Sequence, residues 1–297
     1  MKTNRRLDHK PFLVPPGKRF RLKDHPPGYT GQFKNKGAAK EALIEDVTAL
    51  AEAQQLLWAS AEYSVIIIFQ ALDAAGKDGT IRHVMSGVNP QGVEVHSFKA
   101  PTEEERLRHF LWRPMKAMPA RGRIAIFNRS YYEEVLVVRV HPELLEYQYV
   151  RPELRRKGYD RLWEERYESI NRLERTLTQN GCCVIKFFLH VSRAEQKERF
   201  LERINNPEKH WKFSAADIRE RAFWDDYQRA YEQMLQATST SWAPWYVVPA
   251  DHKWFTRAVV ADIIASRIGR LKLRYPKPTP EQIEGLEAAR QQLEAEK

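Results

Sequence analysis

Five short apolar segments recur along the chain with helical patterns between them, and no other feature restricts the fold as much. They are SVIIIF (64–69), GVEVHSF (92–98), RIAIFN (123–128), CVIKFFLH (183–190) and PWYVVPA (244–250). β-Branched and aromatic residues dominate them, with little apolar–polar alternation. Such runs read as strands buried on both faces, as in a parallel sheet covered by helices on each side. The helix starts between them are signed. TEEE (102–105) has the capping-box spacing, with Thr102 reaching forward and Glu105 reaching back, and SRAE (192–195) repeats it. SAAD (214–217) is a weaker version, and TPEQ (279–282) adds Pro280 at the first helical position. Another helix, from about 37 to 60, precedes the first strand. This alternation predicts a doubly wound α/β domain.

No internal repeat or clear linker interrupts the pattern. The expected division is a basic N-terminal arm (1–35), one α/β domain (36–272) with a helical insertion, and a C-terminal helix (273–297). Charge is the second constraint. The 297 residues carry 49 Lys and Arg against 39 Asp and Glu, a net charge of +10, which attracts polyanions: nucleic acid, an anionic membrane surface or a phosphate-rich substrate. Residues 1–25 concentrate it, with Lys2, Arg5, Arg6, Lys10, Lys18, Arg19, Arg21 and Lys23 against Asp8 and Asp24. Pro11, Pro15 and Pro16 make that arm read as extended or partly disordered. The longest apolar run, VIIIF (65–69), is too short to span a bilayer, and no apolar stretch follows the basic N-terminus. A cytoplasmic protein is expected, with the adjacent Cys182 and Cys183 reduced in a core strand.

Three motifs carry chemistry. After the first strand, ALDAAGKDGT (71–80) places Gly76 and Lys77 where a phosphate-binding loop would have them. Ala74, Ala75, Gly76, Asp78, Gly79 and Thr80 would form the cradle, with the amides of the following helix facing the anion. The match to G-x-x-x-x-G-K-[ST] is imperfect: Ala71 replaces the first glycine and Asp78 the hydroxyl, so the magnesium-binding hydroxyl would come from elsewhere, Thr80 being one option. Asp73 is a carboxylate inside a phosphate loop, which suits a magnesium ligand or a group aligning the phosphate. A surface loop with an Asp-Gly turn at 78–79 would share some of these letters.

The second motif, FNRSYYEE (127–134), ends the third strand. Asn128 stands where phosphotransferases commonly have Asp, and Arg129 can fork two phosphate oxygens or pair with Glu133 or Glu134. The third, RINNPEKHWKFSAADI (203–218), sets Arg203, Lys209, His210 and Lys212 around a proline turn before a capped helix. Basic residues on a helix–turn–helix above a phosphate site suit a lid, here over about 200–230. Trp211, Phe213 and Trp224 read as packing residues rather than base-stackers.

Together these motifs resemble the polyphosphate kinase 2 family, whose members move phosphate between inorganic polyphosphate and nucleotides. The likeness runs through GVNPQGVEVHSFKAPTEEE (87–105) and STSWAPWYVVPADHKWF (239–255), over most of residues 35–270. It implies a P-loop kinase fold of the thymidylate-kinase type, magnesium dependence and a homo-oligomer, dimer or tetramer. It implies that Asp73, Lys77, Arg129 and Arg203 are catalytic, that Asp73 and Asn128 hold metal, and that Asn128, Arg129, Glu133, Lys209 and Lys212 bind nucleotide or phosphate. Many members that phosphorylate diphosphates read roughly F-D-R-S-W-Y-N-R at the second motif. Asn128 and Glu133 are similar instead to the subgroup accepting monophosphates, so AMP, ADP and ATP are the expected nucleotides. An ATP-dependent nucleotide kinase would share the core motifs, and a non-enzymatic polyanion-binding protein would share the charge. No nucleic-acid motif, basic recognition helix or aromatic–basic strand pair is present, so neither a specific nucleic acid nor a membrane is an expected partner.

Overall fold

The computed structural model describes residues 7–156 and 159–296. Five strands form one parallel sheet: β1 (Ser64–Gln70), β2 (Val93–Ser97), β3 (Ile124–Asn128), β4 (Cys182–His190) and β5 (Trp245–Pro249), in the order β2-β3-β1-β4-β5. The principal helices are α1 (Lys36–Ser60), α2 (Lys77–Val84), α3 (Asp160–Gln179), α4 (Arg193–Asn205), α5 (Ala215–Glu220), α6 (Trp224–Thr238), α7 (Lys253–Gly269) and α8 (Pro280–Ala295). β1 lies in the centre of that order, and every one of its residues is buried. Alternate side chains feed two cores. Ile66, Ile68, Phe127, Val184 and Trp245 pack towards α3 and α6, while Val65, Ile67, Phe69, Ile185 and Val248 pack towards α1, α2 and α7. Register brings Phe69 of β1 level with Asn128 of β3, so the loops after both strands open at one sheet edge. The chain leaves that edge in opposite directions around β1, which makes it the ligand-binding edge of an open α/β sheet.

Two expectations need correction. β2 is not a strand buried on both faces: it is an edge strand paired only with β3, and Val95 is exposed. The basic arm is not loose. Lys2, Arg5 and Arg6 lie outside the described residues, but from Leu7 onward the segment docks on β5. Phe12 and Val14 are buried, Val14 N donates to Trp245 O at 2.9 Å and Val247 N to Phe12 O at 2.7 Å. Those apolar side chains outweigh the surrounding charge, and the antiparallel bridge Leu13–Tyr246 covers the open edge of the sheet. The Thr102 and Thr279 capping boxes form in full. At Ser192 only half forms, because Glu195 turns to Arg199 instead. Cys182 and Cys183 are free and buried in β4, and burial pushes the Cys182 thiol up to about 12. α8 has no buried residue, and no described helix is long and apolar enough to cross a membrane.

Candidate active site

The turn after β1 is shaped by its glycine and held from below by α4. Gly76, at φ +103°, caps α2 in a conformation that side chains disfavour, and Ala74 adopts φ +61°. Loop carbonyls thereby point back into the protein, where α4 receives them. Arg199 Nη1 donates to Ala74 O at 2.9 Å and Ala75 O at 2.8 Å, while its Nη2 donates to Ala250 O at 2.6 Å. Gln196 Nε2 donates to Asp73 O at 2.8 Å. With its carbonyls occupied, the loop presents amides and the N-terminus of α2 outward, the arrangement that binds an anion.

Lys77 is only 9% exposed and its Nζ donates to Ala71 O at 2.9 Å. Burial, reinforced by the Arg129 charge, pushes its pKa down to about 8; Asp73, Glu133 and Asp78 pull it back upward. An ammonium held with so little water is a strong phosphate ligand. Arg129 sits at φ +62°, fixed by its amide donating to Phe69 O at 3.0 Å. Its guanidinium reaches both Asp73 Oδ1, at 2.6 Å, and Glu133 Oε2, at 3.3 Å. Burial alone would lower its pKa, but the Glu133 and Asp73 carboxylates more than reverse that and keep it charged. Glu133 also accepts from Gln70 at 3.1 Å, and burial raises its pKa against the pull of Arg129 and Lys77. Asn128 Nδ2 donates to Asp78 Oδ1 at 2.8 Å, which ties the end of β3 to the start of α2.

The lid residues face the same space. Asp73, Lys77, Asn128, Arg129, Arg203, Lys209 and Lys212 all line one cleft of about 1100 Å³, with Ala74, Gly76, Asp78 and Gly79 in its floor. Arg203 lies 3.8 Å from Asp217, Lys209 pairs with Glu202, and Lys212 lies over the Trp211 ring. Burial raises the pKa of Asp217, and the Asp73 charge raises it further. Three expected residues are not brought in. Thr80 is 3% exposed and does not line the cleft. Ala75 is buried and contributes its carbonyl to Arg199. Glu133 lines two smaller neighbouring cavities rather than the cleft. Reading the sequence missed Gln196 and Arg199. The available signal was their spacing with Arg203 along one stripe of α4: the first two brace the loop, and Arg199 and Arg203 both line the cleft. It also missed Lys99 and Lys253, two further cations of the wall.

The donor set indicates what cation would suit the cleft. Among the described residues no three His, Cys, Asp or Glu side chains converge into a metal cage. Asp73 and Asp78 offer carboxylate oxygens and Asn128 an amide oxygen, all hard ligands. One or two such groups, completed by substrate phosphates and water, match magnesium.

A parallel α/β sheet with a phosphate loop after β1, an Asn-Arg pair after β3 and a basic helical lid defines a P-loop kinase-like phosphotransferase fold. Comparison with known proteins gives the family. The family model described as polyphosphate kinase 2 matches residues 34–275. The chain is 49% identical over 288 residues to the ADP-polyphosphate phosphotransferase of Rhodopseudomonas palustris, covering 97% of this chain and 99% of that one. It is 44% identical over 270 residues to the AMP/ADP-polyphosphate phosphotransferase of Meiothermus ruber, covering 91% and 96%. The crystal structure of polyphosphate kinase 2 from Arthrobacter aurescens superposes with a TM-score of 0.84 at 37% identity, covering 94% and 96%. The chain belongs to the polyphosphate kinase 2 family, as its three motifs led one to expect.

Proposed function

We propose that the protein is a cytoplasmic, magnesium-dependent kinase that transfers the terminal phosphoryl of inorganic polyphosphate to AMP or ADP, reversibly, as a homo-oligomer. The observation that carries this reading is the convergence of loop, Asn-Arg and lid residues on a single cleft. Acceptor and leaving group are both phosphate oxygens, largely ionised at neutral pH, so little base catalysis is needed. Positioning and charge neutralisation supply the rate. Lys77 and the α2 amides hold phosphate oxygens at the loop, and Arg129 forks the oxygens of the partner phosphate. Phosphate entering here would exchange for Asp73 on the guanidinium, which frees that carboxylate for the cation. Asp73, Asp78 and Asn128 would hold magnesium, which would supply positive charge to offset that of the phosphates. Arg203 and Lys209 leave their carboxylate partners, and Lys212 the Trp211 ring, as the lid descends and excludes water.

A second, more apolar pocket suits the acceptor's purine. It has a volume of about 190 Å³, is lined by Phe98, Phe110, Val138, Leu144 and Tyr147, and shares Phe98, Lys99 and Arg129 with the cleft. A base seated there would put its phosphates on Arg129. Glu133 lies in its wall and keeps Arg129 at that junction.

The test is one time course with purified protein, Mg²⁺, long-chain polyphosphate and AMP, following ADP and ATP by chromatography, with Lys77→Ala as control. ADP followed by ATP is expected. ADP alone restricts the acceptor to monophosphates, and conversion of ADP but not AMP overturns the monophosphate reading of Asn128 and Glu133. Turnover of ATP plus AMP without polyphosphate, with polyphosphate only inhibiting, sinks the donor assignment.

A further inference from the structure

The cleft wall runs as far as Gly79 on α2 and Lys253 at the start of α7. Just beyond stand two guanidiniums with no task in the mechanism above. Arg257 is one turn past Lys253 on α7, and its Nη2 lies 3.7 Å from the point where a Cβ on Gly79 would stand. Arg82 is one turn past Gly79 on α2. With no side chain at position 79, nothing from that residue separates the cleft from this pair. Among the described residues neither Arg82 nor Arg257 has a hydrogen-bond or ion-pair partner. The charges that act on Arg257 are both cationic, Arg82 and Arg199, and they add to burial in lowering its pKa. Arg199 is already occupied by loop carbonyls, whereas Lys209 and Lys253 share Glu202.

Elsewhere in the site each arginine has a carboxylate or carbonyl, so this pair is the exception. Two like charges held together without a counterion are unfavourable, and the cost is relieved when an anion bridges them. The bridging anion has to be contiguous with what lies in the cleft, since the pair opens onto its end. A linear chain of phosphates meets that condition, because one end can react at Lys77 while the rest runs out past Gly79.

We propose that Arg82 and Arg257 form a distal subsite for polyphosphate, which grips the donor several phosphates behind the one transferred. This rests on the polyphosphate reading of the cleft. A long donor reaches both places, and a donor of a few phosphates reaches only the first. The pair therefore contributes affinity for long chains and nothing to chemistry.

The experiment compares wild type with Arg82→Gln/Arg257→Gln on two donors, long-chain polyphosphate and tripolyphosphate, with ADP as acceptor. KM for the long chain should rise by about 10-fold at unchanged kcat, and its salt dependence should flatten by about 1.4 in log–log slope for two lost phosphate contacts. KM for tripolyphosphate should stay within about twofold, because the short donor makes neither contact. The Arg82→Lys/Arg257→Lys variant should recover most of the long-chain affinity. Equal KM values for wild type and the glutamine variant on the long chain overturn the subsite. So does an equal loss on both donors, or a fall in kcat, which would place the pair at the reaction centre or in loop packing. If wild type turns over neither donor, the kinase reading fails by itself. Calorimetric titration with the same two polyphosphates then decides the subsite, and unchanged long-chain affinity in the variant refutes it.

Discussion

Lys77→Met should abolish catalysis and make the protein more stable. Lys77 is buried against its charge, with its pKa brought from 10.5 to about 8. At 1.36 kcal/mol per pH unit, holding the ammonium in place at neutral pH costs about 3 kcal/mol. Methionine fills similar volume without charge but forfeits the 2.9 Å bond to Ala71 O, worth about 1 kcal/mol. The net gain is about 2 kcal/mol. For a chain of this length, with about 2 cal/mol/K of unfolding entropy per residue, that raises Tm by about 3 °C. The sign can be checked through pH. A lysine whose folded pKa is depressed costs stability in full below the folded value, and the cost fades as pH rises through the unfolded value. The advantage of the variant should therefore be largest below pH 8 and vanish by about pH 10, where the remaining charge cost of about 1 kcal/mol is offset by the lost hydrogen bond. Calorimetric melts of both proteins at pH 7 and pH 10 read this directly, and their difference cancels the tyrosines that titrate in the same range. Polyphosphate should raise the Tm of wild type and not of the variant. A variant that melts at or below wild type at pH 7, or an advantage independent of pH, would refute the claim that loop and lid hold Lys77 at a cost to folding.

Other outcomes follow from the same geometry. Arg129→Ala should lower kcat by at least about 10²-fold, the scale of losing one preorganised donor to developing charge, and near-normal turnover in a folded variant would remove it from the reaction. Arg199→Met should lower stability by about 3 kcal/mol in urea titration, since it strands buried carbonyls of Ala74, Ala75 and Ala250, and should raise KM through a loosened loop. Lys186 and Glu174, both fully buried and 2.6 Å apart, also hold Tyr131 and Tyr132 under the second motif. Lys186→Met alone should cost about 3–5 kcal/mol, and adding Glu174→Leu should return most of it, because the lone carboxylate is the costly species. Chelation with EDTA should stop turnover, and Mg²⁺ should restore it with a higher requirement in Asp73→Asn.

Sequence pattern located all five strands, because apolar β-branched and aromatic runs favour a covered parallel sheet, but it did not show that β2 lies exposed at the edge. The three motifs were legible as letters, and strand order explains why they belong together: β3 lies beside β1, so Asn128 and the phosphate loop open at one edge. Pairing was beyond the sequence. Arg129 could be read with Glu133, but its bond to Asp73 joins residues 56 positions apart. The burial of Thr80, the depressed pKa of Lys77 and the bracing of the loop by Arg199 all depend on what packs against them from distant elements. The N-terminal arm makes the same point in reverse. Its prolines suggested an extended or partly disordered arm, yet Phe12 and Val14 find the open edge of β5, more than 230 residues away. Local pattern determined which segments are strands and helices, since that is decided by neighbours along the chain. Tertiary structure alone decided which charges meet, because electrostatic partners and burial are set by distance in space.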